Sequence, residues 1–333
     1  MKLKKNKKFI VAEVGNNHEG SISNAYKLIE EAKDAGVDAV KFQTYNVKKY
    51  YSSDSDIKRI KKLEKFELSH ESLIKLSKYA KKLGLIFFST PFDIESAIFL
   101  NKLQNIFKIS SGDNDFYNLI EKVLSFNKPI IISTGMLNYK EIKKLYNFIK
   151  INKFKNQICF LHCVSSYPAP IKELNLNSIV YLKEKFPDCI IGYSDHSDSI
   201  ESCVLSAYLG AEVIEKHFTL DKNFSSFRDH KLSASPAEMK KLVNIIRNLE
   251  LMLGKKNKKI QKSETFNLAG SRRSIASNKN LQKNSIIKSS DLIFVRPRNK
   301  FCILDEKKII GKKLKKAIKF GEQFKSTNLT NKK

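Results

Sequence analysis

Residues 9–254 alternate short apolar runs with amphipathic stretches of helical period. The apolar runs predict eight strands, at Phe9–Val14, Ala39–Thr44, Leu85–Thr90, Ile106–Ser110, Pro129–Ser133, Ile158–Cys163, Ile190–Ser194 and Val213–His217. The stretches between them predict helices, among them Asn24–Ala35, Glu71–Leu83, Ile94–Leu103, Lys140–Ile151 and Ile200–Leu209. Regular alternation of this kind indicates βα units and a parallel sheet.

Eight βα units in roughly 250 residues favour an α/β fold of the (β/α)8 barrel type, the TIM barrel. A doubly wound open sheet is the alternative. Its usual phosphate-binding pattern, GxGxxG, is missing from the loop after the first strand, Gly15–Gly20. We therefore expect a barrel over residues 1–254.

The chain changes character after residue 254. A lysine-rich run follows Gly254 and indicates a linker over residues 255–268. Beyond the linker we expect a small β-rich domain, residues 269–333. Its β-like runs are Ser274–Ser277, Leu292–Val295 and Lys313–Ile318.

The net charge of +28 does not by itself indicate a nucleic-acid-binding protein. Only seven of the 62 basic residues are arginine, and the lysines are spread from end to end. Arginine is the residue that suits bidentate recognition of phosphate groups. We expect a solvated lysine-rich surface, no nucleic-acid partner, and a field that favours small anionic substrates.

The five cysteines show no CxxC spacing, which favours reduced thiols in a cytoplasmic protein over a disulfide framework. No apolar run reaches the ~20 residues that a membrane helix needs. The basic start, Met1–Lys8, is followed by an apolar run too short for a signal peptide. We expect a cytoplasmic location, no targeting segment and no membrane contact.

Polar residues with chemical potential end or follow the predicted strands. Because a parallel barrel gathers the C-terminal ends of its strands around one pocket, these side chains are expected to share it. They are Glu13, Lys41, Gln43, Thr90, Lys108, Ser111, Ser133, Tyr167, Ser194, His196 and His217.

The types of these residues indicate a chemistry. Lys41 and Lys108 are costly to bury without an anion, and hydroxyls with turn amides can complete a site for a phosphorylated carboxylate. His196 and His217 either serve as structural histidines or hold one divalent metal with open coordination positions. Glu13 can act as a general base or steer a water.

Three further histidines have weaker expectations. His18 either lines the pocket or caps the first helix, His162 is structural and His70 is a surface residue. Ser133 and Ser194 also fit helix N-caps, which does not exclude contact with a phosphate group.

Nine motifs occur together and in order. They are Glu13–Gly20, Val40–Thr44, Phe88–Phe92, Lys108–Asp113, Ile132–Met136, Leu161–Cys163, Tyr167–Pro168, Gly192–His196 and Glu215–Thr219. The ordered set resembles the sialic acid synthase family, which makes N-acetylneuraminic, legionaminic or pseudaminic acid. The tail, with Arg272–Ile275 and Val295–Pro297, resembles the antifreeze-like (SAF) domain of that family.

The resemblance implies a nonulosonic acid synthase, a transferase of the N-acetylneuraminate synthase type. Such an enzyme condenses phosphoenolpyruvate with N-acetylmannosamine or a 2,4-diacetamido-trideoxyhexose and releases phosphate by C–O cleavage. The implied phosphoenolpyruvate ligands are Lys41, Thr90, Lys108, Ser111, Ser133 and Ser194. The implied sugar ligands are Gln43, Asp113, Tyr167, Asp229 and Arg296, and the implied ligands of Mn2+ or Mg2+ are His196 and His217.

The resemblance also implies a domain-swapped homodimer in which Arg296 reaches the sugar from the partner chain. It makes Glu13 the candidate for managing the attacking water. The chain departs from the family pattern at the sugar end, where Asp113 replaces a common Glu and residues 223–230 replace a Pro-Gly-Pro-Asp type loop.

Two other functions stay open. One is a related phosphoenolpyruvate-dependent condensation on another aldose, which a requirement for a phosphorylated acceptor would favour. The other is a carbohydrate- or ice-binding protein that uses the tail domain. The histidine pair and the tail argue against the first, and the barrel residues argue against the second.

Overall fold

The computed structural model describes residues 7–52, 54, 56–152, 154–298 and 301–330. Most of the basic start, residues 1–6, and parts of the tail, residues 299–300 and 331–333, lie outside the described residues. The chain forms two compact units, Met1–Gly254 and Lys255–Lys333.

The described part of the first unit contains eight parallel strands. They are β1 (Phe9–Gly15), β2 (Ala39–Thr44), β3 (Ile86–Pro91), β4 (Phe107–Ile109), β5 (Ile130–Ser133), β6 (Ile158–Cys163), β7 (Ile190–Asp195) and β8 (Val213–His217). Hydrogen bonds join them in the order β3-β2-β1-β8-β7-β6-β5-β4, and the outer strands β3 and β4 lie against each other. This cyclic order confirms the predicted barrel, and the open-sheet alternative is wrong.

Helices surround the strands. They are α1 (Ile22–Ala35), α2 (Val47–Tyr50), α3 (Ile57–Phe66), α4 (His70–Lys82), α5 (Ile94–Leu100), α6 (Tyr117–Ser125), α7 (Tyr139–Ile151), α8 (Asn177–Lys185), α9 (Glu201–Tyr208), α10 (Arg228–Leu232) and α11 (Pro236–Leu253). Proline at the first position suits the start of α11, because its missing N–H is not needed there. Ser235 and Glu238 cap each other's backbone N–H groups at this start.

Inward-facing positions of β2 and β8 change from apolar to polar along the strand. In β2, Ala39 belongs to an apolar cluster, whereas Lys41 lines a cavity. In β8, Val213 belongs to the same cluster and Glu215 lines the cavity. Since side chains alternate with period two, each pair shares one face of its strand. The polar site is therefore placed at the C-terminal end of the barrel.

The second unit has a small core of its own. Within its described residues, helices α12 (Thr265–Ser271) and α13 (Glu306–Ile309) accompany an antiparallel pair, β9 (Ser274–Ser277) and β10 (Leu292–Val295). Short 3-10 helices occupy Lys262–Glu264, Ser289–Asp291, Ile303–Asp305 and Ser326–Asn328, and the first unit has one at Ile171–Glu173. The predicted run Lys313–Ile318 forms isolated bridges instead of a strand.

Buried apolar side chains such as Ile275, Leu314 and Phe324 form the core of the second unit. The predicted linker, residues 255–268, includes the start of α12. Among the described residues, no helix has both the length and the apolar character needed to cross a membrane.

Candidate active site

A cavity of about 820 Å³ opens at the C-terminal ends of the strands. Most of the predicted site residues line it together. They are Glu13, Lys41, Gln43, Thr90, Lys108, Ser111, Ser133, Tyr167, Ser194, His196, His217 and Asp229. The strands supply most of these residues from fixed backbone, which suits a site that must hold its geometry.

Two carboxylates and two lysines form a buried ionic network on the cavity floor. Lys41 Nζ lies 3.2 Å from Glu13 Oε2 and 3.2 Å from Glu215 Oε2. Lys108 Nζ lies 3.4 Å from Glu215 Oε1, which also accepts a hydrogen bond from Ser194 Oγ at 2.9 Å. All four charged side chains are buried. Pairing offsets the cost of desolvating them and keeps both lysines in place.

The network gives its members unequal pKa values. Burial raises the pKa of Glu13 to about 7, against the attraction of Lys41. Burial also opposes charge on Glu215, but Lys108 and Lys41 outweigh it and lower its pKa to about 2. Burial lowers the pKa of Lys108, and the attraction of Glu215 offsets this only in part. Lys108 is therefore the cation that gains most from an added anion.

Hydroxyl groups converge beside the network at the loop after β5. The Oγ atoms of Ser133 and Ser165 are buried and have no hydrogen-bond partner among the described residues. A Cβ added at Gly135 would lie 2.2 Å from Ser165 Oγ and 2.6 Å from Ser111 Oγ. The amide of Asn114 holds the loop by donating to the carbonyls of Ser133, at 3.1 Å, and Gly135, at 2.9 Å. Buried hydroxyls without partners are available as donors to a bound anion.

His196 and His217 lie beside each other on the cavity wall, with ring centroids 5.4 Å apart. His196 Nδ1 lies 2.8 Å from the carbonyl oxygen of Val164. This contact places a proton on Nδ1, so Nε2 is the nitrogen that a cation would use. Burial opposes charge on the ring, but Cys163 and the Val164 carbonyl outweigh it and raise the pKa of His196. His217 Nδ1 is buried without a hydrogen-bond partner among the described residues, and burial lowers the pKa of His217.

A neutral imidazole with a free lone pair is a metal ligand, so the two histidines fit a divalent cation. No group of three or more His, Cys, Asp or Glu side chains suited to a metal occurs in the described part of the chain.

One side of the cavity mouth is built on Tyr167. Its ring packs against His196, with centroids 4.1 Å apart, and Arg228 Cζ lies 4.7 Å from the Tyr167 centroid. Arg228 Nε lies 3.3 Å from Asp229 Oδ1. Asp229, on the short helix α10, therefore reaches the cavity beside a cation.

The cavity mouth also combines aromatic rings with cations. Arg59 Cζ lies 5.0 Å from the ring centroid of Tyr51, and Lys62 Nζ lies 4.9 Å from that of Phe227. We call this surface the aromatic wall and define it by Tyr50, Tyr51, Phe92 and Phe227, all of which line the cavity.

Two predicted sugar ligands are not part of the cavity lining. Asp113 is buried and accepts a hydrogen bond from Ser110 Oγ at 2.5 Å. This bond uses Oδ2, and the other carboxylate oxygen of Asp113 accepts no bond from Ser110. Arg296 belongs to the second unit, where its side chain is exposed.

The weaker predictions also have definite outcomes. His18 does neither of the two things expected, because it is buried, accepts from the Gly20 N–H at 3.0 Å and is absent from the cavity lining. Ser21 caps α1 instead. His162 Nε2 lies 2.7 Å from the Leu174 carbonyl oxygen, and the exposed His70 stacks on Phe99. Ser133 and Ser194 are strand residues and not helix caps.

Glu215, Ser165 and Arg228 are among the cavity residues to which the sequence pattern assigned no role. Glu215 lies two residues before His217 on the same strand, so the period-two rule could have placed it in the pocket. Ser165 and Arg228 lie on loop and helix segments whose course no periodicity predicts.

Fold and site together define a barrel whose strand ends bring a buried ionic network and a histidine pair to one cavity. The chain belongs to the NeuB family, the sialic acid synthases, whose family model matches residues 28–258.

Individual relatives agree with this membership. The chain is 40% identical to the N,N'-diacetyllegionaminic acid synthase of Campylobacter jejuni over 92% of its own length and 95% of that protein. It is 44% identical to an uncharacterized protein of Methanocaldococcus jannaschii over 87% of its length and 85% of that protein.

A solved structure shares the fold. The N-acetylneuraminic acid (sialic acid) synthetase of Leptospira borgpetersenii, crystallised in complex with citrate, superposes with a TM-score of 0.73 at 34% identity. The match covers 78% of this chain and 90% of that one. The general activity of the family is the synthesis of nonulosonic acids. Relatives named for that activity are similar to this chain over nearly its whole length.

Proposed function

We propose that the chain condenses phosphoenolpyruvate with an N-acetylated hexosamine aldehyde and releases phosphate by C–O cleavage. One observation carries the proposal. A single cavity brings two buried lysines and a set of hydroxyls to the side of Glu13 and the pair His196 and His217.

The lysines and hydroxyls suit phosphoenolpyruvate, which carries a phosphate and a carboxylate. Lys108 lacks full charge compensation, and Ser133 Oγ has no hydrogen-bond partner among the described residues. Charge-assisted hydrogen bonds from such groups are about twice as strong as neutral ones. The proposed ligands are Lys41, Thr90, Lys108, Ser111, Ser133 and Ser194.

The reaction joins carbon 3 of phosphoenolpyruvate to carbon 1 of the open-chain sugar, and the aldehyde oxygen takes up a proton. Water adds to carbon 2, the bond from carbon 2 to the phosphate oxygen breaks, and a 2-keto-3-deoxy acid and phosphate leave. Glu13 is the proposed acceptor of the proton of that water. Gln43 Nε2 donates to Glu13 Oε1 at 3.2 Å and so orients the carboxylate.

His196 and His217 would hold Mn2+ or Mg2+. When bound, the cation supplies Lewis-acid polarisation of the aldehyde. Tyr167 packs on His196, and Asp229 and Gln43 line the same cavity, so these side chains are the proposed sugar contacts near the reacting carbon.

The aromatic wall favours a 2,4-diacetamido-2,4,6-trideoxyhexose over N-acetylmannosamine. A methyl group and a second acetamido group bury more apolar area on aromatic rings than hydroxyls do. The Campylobacter relative is named for the corresponding product. Lys58, Arg59 and Lys62 also line the mouth, and these cations favour a phosphorylated hexosamine as the second candidate.

We propose further that residues 269–333 form an antifreeze-like domain that places Arg296 in the active site of a partner subunit. Subunit mixing tests this proposal. Lys108→Met and Arg296→Ala homodimers are each expected to be inactive. If Arg296 acts across the interface, mixed dimers regain one intact site and part of the activity, whereas action within one chain gives no regain.

The deciding experiment measures phosphate release from phosphoenolpyruvate with Mn2+ and a panel of acceptors. The panel contains N-acetylmannosamine, its 6-phosphate and 2,4-diacetamido-2,4,6-trideoxyhexoses, with Lys108→Met as the inactive control. Release that depends on a diacetamido sugar supports the proposal in full. Release only with the phosphorylated sugar supports the second candidate, and no release with any acceptor contradicts both.

A further inference from the structure

Each cavity-facing histidine is preceded by a charged residue that faces the other side of its strand. Asp195 precedes His196 at the end of β7, and Lys216 precedes His217 at the end of β8. Both histidines line the cavity, whereas Asp195 and Lys216 do not. Period-two alternation explains the split, because neighbouring side chains on a strand point to opposite faces.

Asp195 and Lys216 are direct register partners in the pairing of β7 with β8. Lys216 Nζ lies 2.6 Å from Asp195 Oδ2, and the side chains are 1% and 0% exposed. Lys216 also donates to the carbonyl oxygen of Ser197, which follows His196 in the chain. One ammonium group therefore holds the chain on both sides of His196.

The Asp195 carboxylate is fully used. Its Oδ1 accepts from the Tyr193 hydroxyl at 2.8 Å and from the Ser197 N–H at 3.1 Å. Its Oδ2 accepts from Ser197 Oγ at 3.1 Å in addition to Lys216. A buried charge with every lone pair engaged is fixed in direction, so it can fix the strands that carry it.

Stability alone does not account for a buried ion pair at this place. Desolvation of two such charges commonly cancels their attraction, and apolar pairs of similar volume are often as stable or more so. What the ion pair adds is a defined register between two strand ends, since one residue of slip moves a strand by about 3.3 Å. The imidazole centroids of His196 and His217 lie 5.4 Å apart, and after such a slip the two rings could no longer bind one cation.

We propose that the Asp195–Lys216 ion pair is the positioning element of the metal centre. It sets the ends of β7 and β8 against each other from the outer face of the strands and so fixes the spacing of His196 and His217. Neither residue touches substrate or metal. The inference rests on the metal site of the proposed function and names the residues that hold its histidine ligands in position.

The test measures Mn2+ affinity without substrates, by calorimetry and by the electron paramagnetic resonance signal of free Mn2+. The main variant is Asp195→Leu/Lys216→Met, which removes both charges and keeps an apolar pair. We expect a folded protein whose Mn2+ affinity is about 10–100-fold weaker, as for other second-layer partners of metal ligands. Its affinity for phosphoenolpyruvate should stay within about twofold.

Two matched variants complete the experiment. Tyr193→Phe removes one hydrogen bond to Asp195 and keeps the ion pair, so it should fold and weaken Mn2+ binding by a smaller factor. Asp38→Asn/Arg247→Met removes the pair in which Arg247 Nη2 lies 2.5 Å from Asp38 Oδ2, at the opposite end of the strands. This control should leave Mn2+ affinity unchanged.

The outcomes separate the two proposals. If the wild-type chain binds Mn2+ and His217→Ala abolishes binding, the metal site stands. If the folded Asp195→Leu/Lys216→Met variant then binds Mn2+ with wild-type affinity, the positioning role alone is overturned. If that variant does not fold, wild-type Mn2+ affinity in Tyr193→Phe overturns the positioning role. Absence of Mn2+ binding by the wild-type chain overturns the metal site and the positioning role with it.

Discussion

The Lys41 ammonium and the Glu13 carboxylate form an ion pair of 3.2 Å in which both side chains are nearly excluded from solvent. The pair ties a proposed phosphoenolpyruvate ligand to the proposed base. Phosphoenolpyruvate binding and proton transfer therefore depend on the same pair of charges. Variants of the two residues can separate their effects.

Glu13→Gln should lower kcat by about 100-fold to 10,000-fold, the usual contribution of a positioned acid–base group. The amide keeps the shape and the contact with Gln43 but takes no proton from water. KM for phosphoenolpyruvate should change by less than about threefold. Steady-state phosphate release measures both constants, with the exposed Glu184→Gln as control. Unchanged kcat in Glu13→Gln would refute the role.

Lys41→Met should destabilise the fold, because it leaves Glu13 and Glu215 buried without their shared cation. Loss of one partner of a buried pair costs about 3–5 kcal/mol. The double variant Lys41→Met/Glu215→Gln should be less destabilised than Lys41→Met alone, since it also removes a carboxylate. Urea unfolding of the four members of this cycle gives the coupling energy. Simple additivity would show that the network is not cooperative.

Gly135→Ala should reduce kcat/KM for phosphoenolpyruvate by about 10–100-fold, the scale on which misplaced binding groups lower rates. The added Cβ would lie 2.2 Å from Ser165 Oγ, so the hydroxyls beside the loop must turn away. Gly270→Ala is the matched control, because nothing lies within 4 Å of its added Cβ. A Gly135→Ala enzyme with wild-type kcat/KM would exclude this loop from the substrate site.

The barrel strands were predictable because buried parallel strands read as continuous apolar runs. The predicted run Pro129–Ser133 differs from β5 by one residue, and Ala39–Thr44 matches β2 fully. Helix α3 was missed because its sequence, Ile57–Phe66, is half lysine and arginine and stands outside the βα rhythm. Tertiary contacts such as that of Lys62 with Phe227 hold α3 in position, and its sequence does not predict them.

The candidate site divides in the same way. Lys41, Lys108 and His217 stand on strands and His196 directly follows one, so the topology alone brings them together. Arg228 reaches Tyr167 from a loop-borne helix, and Asp113 turns toward Ser110 instead of the cavity. Local packing decides both orientations, and no pattern in the sequence encodes it.

Arg228→Met should raise KM for the sugar by about two- to fivefold, since a cation over an aromatic face contributes about 0.5–1 kcal/mol at an exposed site. KM for phosphoenolpyruvate should stay unchanged, because Arg228 lies at the mouth beside Tyr167 and Asp229. The exposed Lys231→Met, on the same helix, is the control. Equal effects on both substrates would place Arg228 in general folding of the mouth and not in sugar contact.

His18 should make the stability of the barrel depend on pH. Burial lowers the pKa of His18 from 6.5 to about 4, and its neutral ring accepts the Gly20 N–H. Between these values the unfolded chain binds a proton that the folded chain excludes. Stability from this group is therefore complete above pH 6.5 and is lost as the pH falls toward 4.

A difference of this size corresponds to about 3 kcal/mol. His18→Gln keeps an acceptor for the Gly20 N–H but does not titrate. Its free energy of unfolding, measured by urea titration from pH 7 to pH 4, should therefore fall about 3 kcal/mol less than that of the wild-type chain. If the free energies of unfolding of the two proteins fall equally from pH 7 to pH 4, burial of His18 does not make stability depend on pH. The loop after β1 is then held by Asn17 and Ser21 instead.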